Sequence, residues 1–456
     1  MTSPRILVAL VVALATFLCA LFVPAPYFPA AQLLLSAALA VSTAGLVYVI
    51  ISPDPMPVTL VCNAYLSMFF LVPGIGHLSI GRFPFFNQNY SQEIVLQAAV
   101  ITVVFVFLFT VATLSYRKSR DREPPRPEPA YRFWPAISAN LFLALACVAV
   151  VGYEAFHIAR GESVPLSPLE LVLFATARVG SFVALCLAFL ALVQQRSLLS
   201  YVLIVPAILC FFAANDIIAL PRFISGAYVI AFIFLFLRIT RLFKLLFVVA
   251  VAAGQISLFP LVSEISRGSG SLGQDYDPIA YLFKNGDFDG FQSVINVASF
   301  VDRAGLQGGR QLLSAALFFV PRDLVPWKSI GTGGDAGTSL GLSFVNLSAP
   351  MPAELYVDFG YVGLVVLTVL LALGIRAIDD GFGKARQGSF GRLLGALTAG
   401  FALILMRGSL VGVMGPISCA IGLWALSNAL ARPPASMDLP RHSRSRLAVA
   451  PPRRST

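Results

Sequence analysis

The stretch that decides the fold is 263–360, which contains SEISRGSG (263–270), GDFDGF (286–291), VDRAGLQGGR (301–310), VPRDLVPWK (320–328), GTGGDAGTS (331–339) and PAELYVDFGYVG (352–363). It is the only long segment between apolar runs that contains many polar residues. Apolar runs of membrane length precede and follow it, and a basic tail ends the chain. We therefore expect this segment to be the working part of the protein and the apolar runs to be its scaffold.

The composition indicates a polytopic membrane protein. The chain is 58% hydrophobic and 12% charged, whereas soluble domains carry about a quarter charged residues. Its net charge of +10 does not indicate nucleic-acid binding, because no basic groove motif accompanies it. The 6 cysteines all lie in apolar runs and therefore predict no disulfide framework.

The apolar runs predict an all-α protein with about twelve transmembrane helices of roughly 20 residues each. The predicted spans are 6–23, 31–51, 57–73, 93–114, 135–156, 169–193, 198–214, 222–237, 242–262, 354–375, 393–410 and 412–431. We expect the first run to be a retained helix rather than a cleaved signal peptide, since the second follows almost at once. The chain then divides into a bundle (1–262), a long loop (263–353), closing helices (354–431) and a basic tail (432–456).

The distribution of Lys and Arg predicts the orientation of the chain. With a cytoplasmic N-terminus, most of the 32 basic residues fall in cytoplasmic segments, including the cluster RKSRDREPPRPEPAYR (117–132) and the tail. Short cytoplasmic loops of membrane proteins carry such an excess. We therefore predict that both termini are cytoplasmic and that the long loop lies outside the cell membrane.

A few charged residues lie in or beside predicted spans, where a charge is costly and marks a functional candidate. Arg178 lies in the middle of a span, Arg407 lies near the outer end of another, and Asp216 and Arg222 bracket a short outer turn. Three structural alternatives remain open for them. Arg178 would form an ion pair with another helix, Arg407 would extend to the membrane interface, and Asp216 would pair with Arg222 across the turn.

Common catalytic motifs are missing from the sequence. The 3 histidines have no metal-ligand spacing, and neither a phosphate-binding loop nor a serine nucleophile elbow occurs. Asp287 and Asp289 form an Asp-x-Asp pair that would supply part of a Mg²⁺ site. We instead interpret the surrounding segment, 277–305, as amphipathic helices lying on the membrane, and we predict no metal and no cofactor.

Arginine dominates the charged residues of the long loop. Arg267, Arg303, Arg310, Arg322 and Lys328 lie in the loop, and the topology brings Arg222 and Arg407 near it. A guanidinium is permanently charged and binds phosphate oxygens bidentately. This pattern predicts a lipid-linked phosphate or diphosphate as substrate, with contact to lipid headgroups as the alternative for individual residues.

The second half of the loop resembles a known family. VPRDLVPWKS, a glycine-rich stretch and AELYVDFGYVG are similar to motifs of the bacterial oligosaccharide repeat-unit polymerases, the O-antigen polymerase or Wzy type. The similarity covers 310–363 and Arg407–Gly408. The residues of this sequence that match the family motif are Pro321, Arg322, Pro326, Trp327, Lys328, Gly331, Glu354, Tyr356, Phe359 and Gly360. Ser329 stands where the family usually has a proline, which leaves the subfamily open.

The resemblance implies a GT-C-like, metal-independent glycosyltransferase of the bacterial inner membrane. Its substrate would be an oligosaccharide linked to undecaprenyl diphosphate, and its partners a chain-length regulator and a flippase. Arg322 and Arg267 would stabilise the leaving diphosphate, and Glu354 would be the base, with Asp302 or Asp335 as second choice. Arg310, Lys328, Arg407, Arg222, Asp302 and Tyr356 would bind substrate. Glu354 would alternatively hold an arginine in place.

Three other functions remain open on the sequence. An O-antigen ligase-type transferase would pass the glycan to a different acceptor, a transporter would move the lipid-linked sugar, and a scaffold would have no catalytic role. The long loop and the missing repeat symmetry argue against a transporter.

Overall fold

The computed structural model describes residues 4–85, 89–116, 131–158, 166–216, 220–257, 260–261 and 278–432. Within these ranges all regular structure is helical and no strand occurs. Nine of the described helices are long and apolar enough to cross a membrane. The prediction of an all-α polytopic membrane protein is therefore confirmed.

The nine long helices are Pro4–Leu21 (α1), Pro29–Ile51 (α2), Pro57–Ile80 (α3, a π-helical turn at Tyr65–Leu71, and α4), Gln92–Ser115 (α5), Phe133–Val151 (α6), Pro168–Gln194 (α7), Gly360–Lys384 (α16), Phe390–Arg407 (α17) and Leu410–Ala431 (α18). Three further helices are Leu198–Ala214 (α8), Arg222–Phe236 (α9) and Arg241–Ile256 (α10). They have 17, 15 and 16 residues, fewer than the roughly 20 of a typical span. The count of twelve spans and the GT-C-like architecture therefore stay predictions.

The described part of the long loop contains short helices. They are Pro278–Lys284 (α11), a 3₁₀ turn at Gly286–Phe288, Gly290–Ala304 (α12), Arg310–Ala316 (α13), Thr332–Ser339 (α14) and Met351–Val357 (α15). A break separates α15 from α16, because Gly360 has a φ of +62°, a conformation that glycine adopts without strain. The predicted span 354–375 therefore begins at Gly360, and Glu354 lies in the short helix before it.

Helix α12 corrects the prediction that 277–305 lies on the membrane surface. All eleven residues of Gly290–Phe300 are buried, including the polar Gln292 and Asn296. The helix packs against α5, α14 and α15. Its polar side chains are satisfied inside the protein, where Gln292 bonds to the Phe85 backbone and Asn296 accepts from Tyr90. The amphipathic pattern indicated a helix but not the surfaces that would cover its polar face.

Helices α9 and α17 pack with their backbones in direct contact. A Cβ atom at Gly400 of α17 would overlap the carbonyl oxygen of Ala227 in α9. Small residues at a crossing permit this close approach in membrane helices. The contact fixes the position of α9, which begins at Arg222, relative to α17, which ends at Arg407.

Basic residues gather at the opposite end of these two helices. Arg392, near the start of α17, donates to the Leu237 carbonyl at the end of α9 over 2.9 Å. Lys244 is fully buried, and its ammonium donates to the carbonyl groups of Val49, Ser52 and Asp54 at 2.8, 2.8 and 2.6 Å. This end contains the segments predicted to be cytoplasmic, and the orientation of the bundle stays a prediction.

Candidate functional site

Two arginines meet at the end of the bundle that the loop segment covers. Arg222 is the first residue of α9, and Arg407 is the last residue of α17. Each is paired with one carboxylate of the Asp-x-Asp motif. Arg222 Nη1 forms an ion pair with Asp287, and Arg407 Nη2 lies 3.5 Å from Asp289 Oδ1. The two carboxylates are thus engaged by guanidinium groups, which argues against the alternative in which they form part of a Mg²⁺ site.

Aromatic side chains hold both guanidinium groups in place. The Arg407 guanidinium lies 4.2 Å from the centre of the Phe223 ring, within the range of a cation–π contact. Arg222 Nη1 also donates to the Tyr281 hydroxyl over 3.2 Å. Neither aromatic residue was predicted as part of the site, although Phe223 directly follows Arg222 in the sequence.

Asp289 is the more deeply enclosed of the two acids, with 2% of its surface exposed. Its Oδ2 accepts from Ser348 Oγ at 2.9 Å and from Ser293 Oγ at 3.3 Å. Burial raises the pKa of Asp289, and the Arg407 charge and the two hydroxyls act in the opposite direction. Arg407 therefore has a counterion that is itself costly to keep charged.

The glycines around the Asp-x-Asp motif are required by close packing. A Cβ at Gly290 would lie 2.6 Å from the Phe70 ring, and a Cβ at Gly286 would overlap the Phe85 ring. Phe70 belongs to the π-helical turn Tyr65–Leu71. The backbone on both sides of the acids is therefore packed closely against Phe70 and Phe85.

Each arginine keeps donors that are not used. Arg222 is 8% exposed, and its Nε and Nη2 atoms have no hydrogen-bond partner among the described residues. The Nε atom of Arg407 is also buried and unpartnered in this part of the chain. The Nε–Nη2 edge is the side of a guanidinium that binds a carboxylate or phosphate through two parallel hydrogen bonds. Because unpaired buried donors are costly, the binding of an anion at this edge of Arg222 would be favourable.

A second polar cluster surrounds Glu354, which is 1% exposed. Its Oε2 accepts from Thr332 Oγ1 at 2.8 Å, and its Oε1 accepts from the Leu410 amide at 3.1 Å. Burial raises the pKa of Glu354 to about 7, and the bonds from Thr332, Leu410 and Ser409 limit the rise. Glu354 therefore changes its charge near neutral pH while it connects α14, α15 and the start of α18.

The cluster continues to a second acid, Asp335. Its Oδ2 accepts from Gln311 Nε2 and from Ser329 Oγ, both at 2.8 Å, and lies 3.4 Å from Arg310 Nη1. Gln311 Oε1 in turn lies 3.2 Å from Thr332 Oγ1. The path from Arg310 to Glu354 is thus made of direct hydrogen bonds and an ion pair.

The turn between α17 and α18 joins the two clusters. Arg407 of this turn contacts Asp289, while Leu410 and Ser409 bond to Glu354 and Thr332. The structure thereby brings together Arg222, Arg407, Glu354 and Arg310 from the predicted set. It also adds Thr332 and Ser409, which the sequence did not distinguish from ordinary loop hydroxyls.

Two predicted loop residues contact mainly the loop itself. Lys328 is 7% exposed, and its ammonium donates to the Phe318 and Val320 carbonyls at 2.8 Å each. Arg322 is exposed, and its Nη2 lies 3.4 Å from the Ser329 carbonyl. The structure does not join them to the two arginine–acid pairs, so their roles in binding and catalysis stay predictions.

The remaining candidates lie near α5 or outside the described residues. Tyr356 is buried and its hydroxyl accepts from Gln97 Nε2 at 2.8 Å, whereas Asp302 and Arg303 are exposed at the end of α12. Arg267 lies outside the described residues, and its catalytic role stays a prediction.

Comparison with known proteins gives no match to this chain, whether with protein-family models, with curated proteins or with solved structures. The resemblance to repeat-unit polymerases therefore rests on the loop motif and on Arg407–Gly408 alone.

Proposed function

We propose that the chain is a membrane glycosyltransferase that polymerises oligosaccharide repeat units linked to undecaprenyl diphosphate. The observation that carries this proposal is the unpartnered Nε–Nη2 edge of Arg222 beside Arg407. A buried arginine with an open edge selects an oxyanion, and the charge of Arg407 beside it suits a ligand with more than one negative charge, such as a diphosphate. The loop motif supplies the glycan part of the proposal.

The diphosphate is the leaving group in the proposed reaction. The acceptor hydroxyl attacks the anomeric carbon, the bond from that carbon to the diphosphate oxygen breaks, and its electron pair leaves with the diphosphate. Fixed positive charge in a site with little water stabilises this departing charge. Arg222 and Arg407 supply the charge in this proposal, and their present carboxylate partners hold them in position before substrate binds.

Glu354 is the group that we propose to accept the proton of the acceptor hydroxyl. Its pKa of about 7 suits proton transfer at neutral pH. Both of its oxygens bond to Thr332 and Leu410 in this structure, so the acceptor must displace the Thr332 hydroxyl to reach it. Asp335 and Asp302 remain the second choices.

The test uses Arg222 variants in proteoliposomes supplied with a synthetic lipid-linked repeat unit. Arg222→Lys keeps the positive charge but loses the planar guanidinium that makes two parallel hydrogen bonds. We therefore expect the rate of polymerisation to fall about 10- to 100-fold. Arg222→Gln should abolish it. Arg386→Gln is the control, because Arg386 is an exposed arginine between α16 and α17 and belongs to neither cluster, and it should stay within about twofold of wild type.

Normal polymerisation by Arg222→Gln at an unchanged protein level would refute the proposal. The glycans of a deletion strain separate the competing functions. Single repeats that accumulate on the carrier lipid support a polymerase, and long chains that stay on it support a ligase. Repeats trapped on the cytoplasmic face support a flippase.

A further inference from the structure

An apolar groove of about 320 Å³ lies between α7, α8 and α9. Half of its lining residues are aromatic, namely Phe182 and Phe189 from α7, Phe211 from α8, and Tyr228 and Phe232 from α9. The side chains at its edge are exposed, since Val229 in the groove is 57% exposed and Leu209 beside it on α8 is 65% exposed. In a bilayer these surfaces face lipid, so the groove opens sideways into the membrane.

The groove follows one face of each of its two long walls. On α7 the lining residues Phe182, Leu185 and Phe189 are three and four residues apart, and on α9 Ser225, Val229 and Phe232 are spaced in the same way. Residues at this spacing share one helix face. With a rise of 1.5 Å per residue, the lined stretch is about 10 Å long.

Each of these two faces carries an arginine one turn above the groove. Arg178 lies four residues before Phe182 on α7, and Arg222 lies three residues before Ser225 on α9. Both arginines have a buried Nε atom without a hydrogen-bond partner among the described residues. The Arg178 guanidinium is held over the Phe174 ring at 4.0 Å. The groove therefore has an apolar body and an end with two arginines, where Asp287 pairs with Arg222 and Asp216 lies near Arg178.

Such a combination fits an amphiphilic anion and no simple ion. A soluble phosphate would use the arginines and leave the groove empty, whereas an uncharged lipid would use the groove and leave buried donors unpaired, which is costly. We propose that the groove binds the first part of the hydrocarbon chain of a lipid diphosphate, whose headgroup binds at Arg222 with Arg178 on the opposite wall. The inference rests on the proposed function only in taking a lipid diphosphate as the ligand, and it does not require the transfer reaction.

The test measures binding of undecaprenyl diphosphate and of inorganic pyrophosphate to the full-length protein in nanodiscs. Ser225→Phe fills the groove below the arginine. This variant should lower the affinity for the lipid about tenfold or more, which corresponds to the loss of contacts with roughly two buried methylene groups. Its affinity for pyrophosphate should stay within about twofold of wild type. Retained pyrophosphate binding also demonstrates that the variant is folded. Arg222→Gln should lower the affinity for both ligands.

Val205→Phe is the matched control. Val205 is 55% exposed on α8 and does not line the groove, so the same added bulk there should leave both affinities unchanged. The proposal is overturned if Ser225→Phe binds the lipid like wild type, or if phosphatidylglycerol competes as well as undecaprenyl diphosphate. It is also overturned if Ser225→Phe dissociates a dimer, which would assign the groove to a second copy of the chain. If the binding pattern holds while wild type transfers no sugar, the proposed function fails and this inference stands.

Discussion

The charge state of Glu354 provides a quantitative test of the site. Burial raises its pKa from 4.5 to about 7, and a tenfold difference in proton affinity corresponds to about 1.4 kcal/mol. The folded state therefore binds this proton more tightly than the unfolded state does. Its contribution to stability is full below pH 4.5 and is lost as the pH rises through 7, a change of about 3 kcal/mol.

Glu354→Gln should remove this pH dependence. The amide can keep both contacts, because its oxygen can accept from the Leu410 amide and its nitrogen can donate to the Thr332 hydroxyl. The assay is reversible unfolding of the purified protein in mixtures of detergent and SDS between pH 4.5 and 8. Relative to wild type, the variant should gain up to about 3 kcal/mol at pH 8 and little at pH 4.5.

The control for this experiment is Asp302→Asn, since Asp302 is exposed and its substitution should leave the wild-type pH dependence in place. Parallel pH profiles for wild type and Glu354→Gln would refute the reasoning, because they would mean that Glu354 is not forced toward its neutral form. If Glu354 is also the base, the variant polymerises no repeats although it is more stable at pH 8.

Three further predictions concern packing, metal and topology. Gly400→Ala should destabilise the protein by about 1–3 kcal/mol because its Cβ would overlap the Ala227 carbonyl. Gly374 has open space around it, so Gly374→Ala should stabilise α16 or leave its stability unchanged. Equal unfolding free energies for the two variants would contradict this prediction. Polymerisation should persist in EDTA, and a loss that Mg²⁺ restores would assign Asp287 and Asp289 to a metal site. A reporter fused after position 274 should be extracytoplasmic, and reporters fused after positions 120, 241, 384 and 444 should be cytoplasmic. A cytoplasmic reporter at position 274 would refute the predicted orientation.

The helices were largely predictable from the sequence, because apolar runs bounded by prolines, glycines and charges indicate membrane helices directly. Most observed bounds differ from the predicted ones by a few residues. The larger differences are the third span, which continues to Ile80, and the span after the loop, which begins at Gly360 and continues to Lys384. Helix α12 was predicted as a helix but given the wrong environment, since its pattern does not say which surfaces cover it. Burial by distant segments is a property of the tertiary structure.

The site was predictable in its residue types and not in its pairings. An excess of outer arginines indicated an anion site, and Arg222 and Arg407 were among the candidates. Their partners, Asp287 and Asp289, are 65 and 118 residues away, and no local spacing encodes such contacts. Ser348 and Tyr281 were missed for the same reason, because a lone hydroxyl in a loop has no distinguishing pattern.

The burial of α12 has a consequence for how the protein is made. A helix that carries Gln292 and Asn296 in its interior face is too polar to enter a bilayer by itself. It must pack against α5 after the flanking helices have been inserted. The acid at its start meets Arg407 only when α17 has been synthesised and inserted, since Arg407 is the last residue of that helix. A chain released before α17 would therefore hold the Arg222–Asp287 pair and most of the Glu354 cluster, but it would lack Arg407, Ser409 and Leu410, which complete the two clusters.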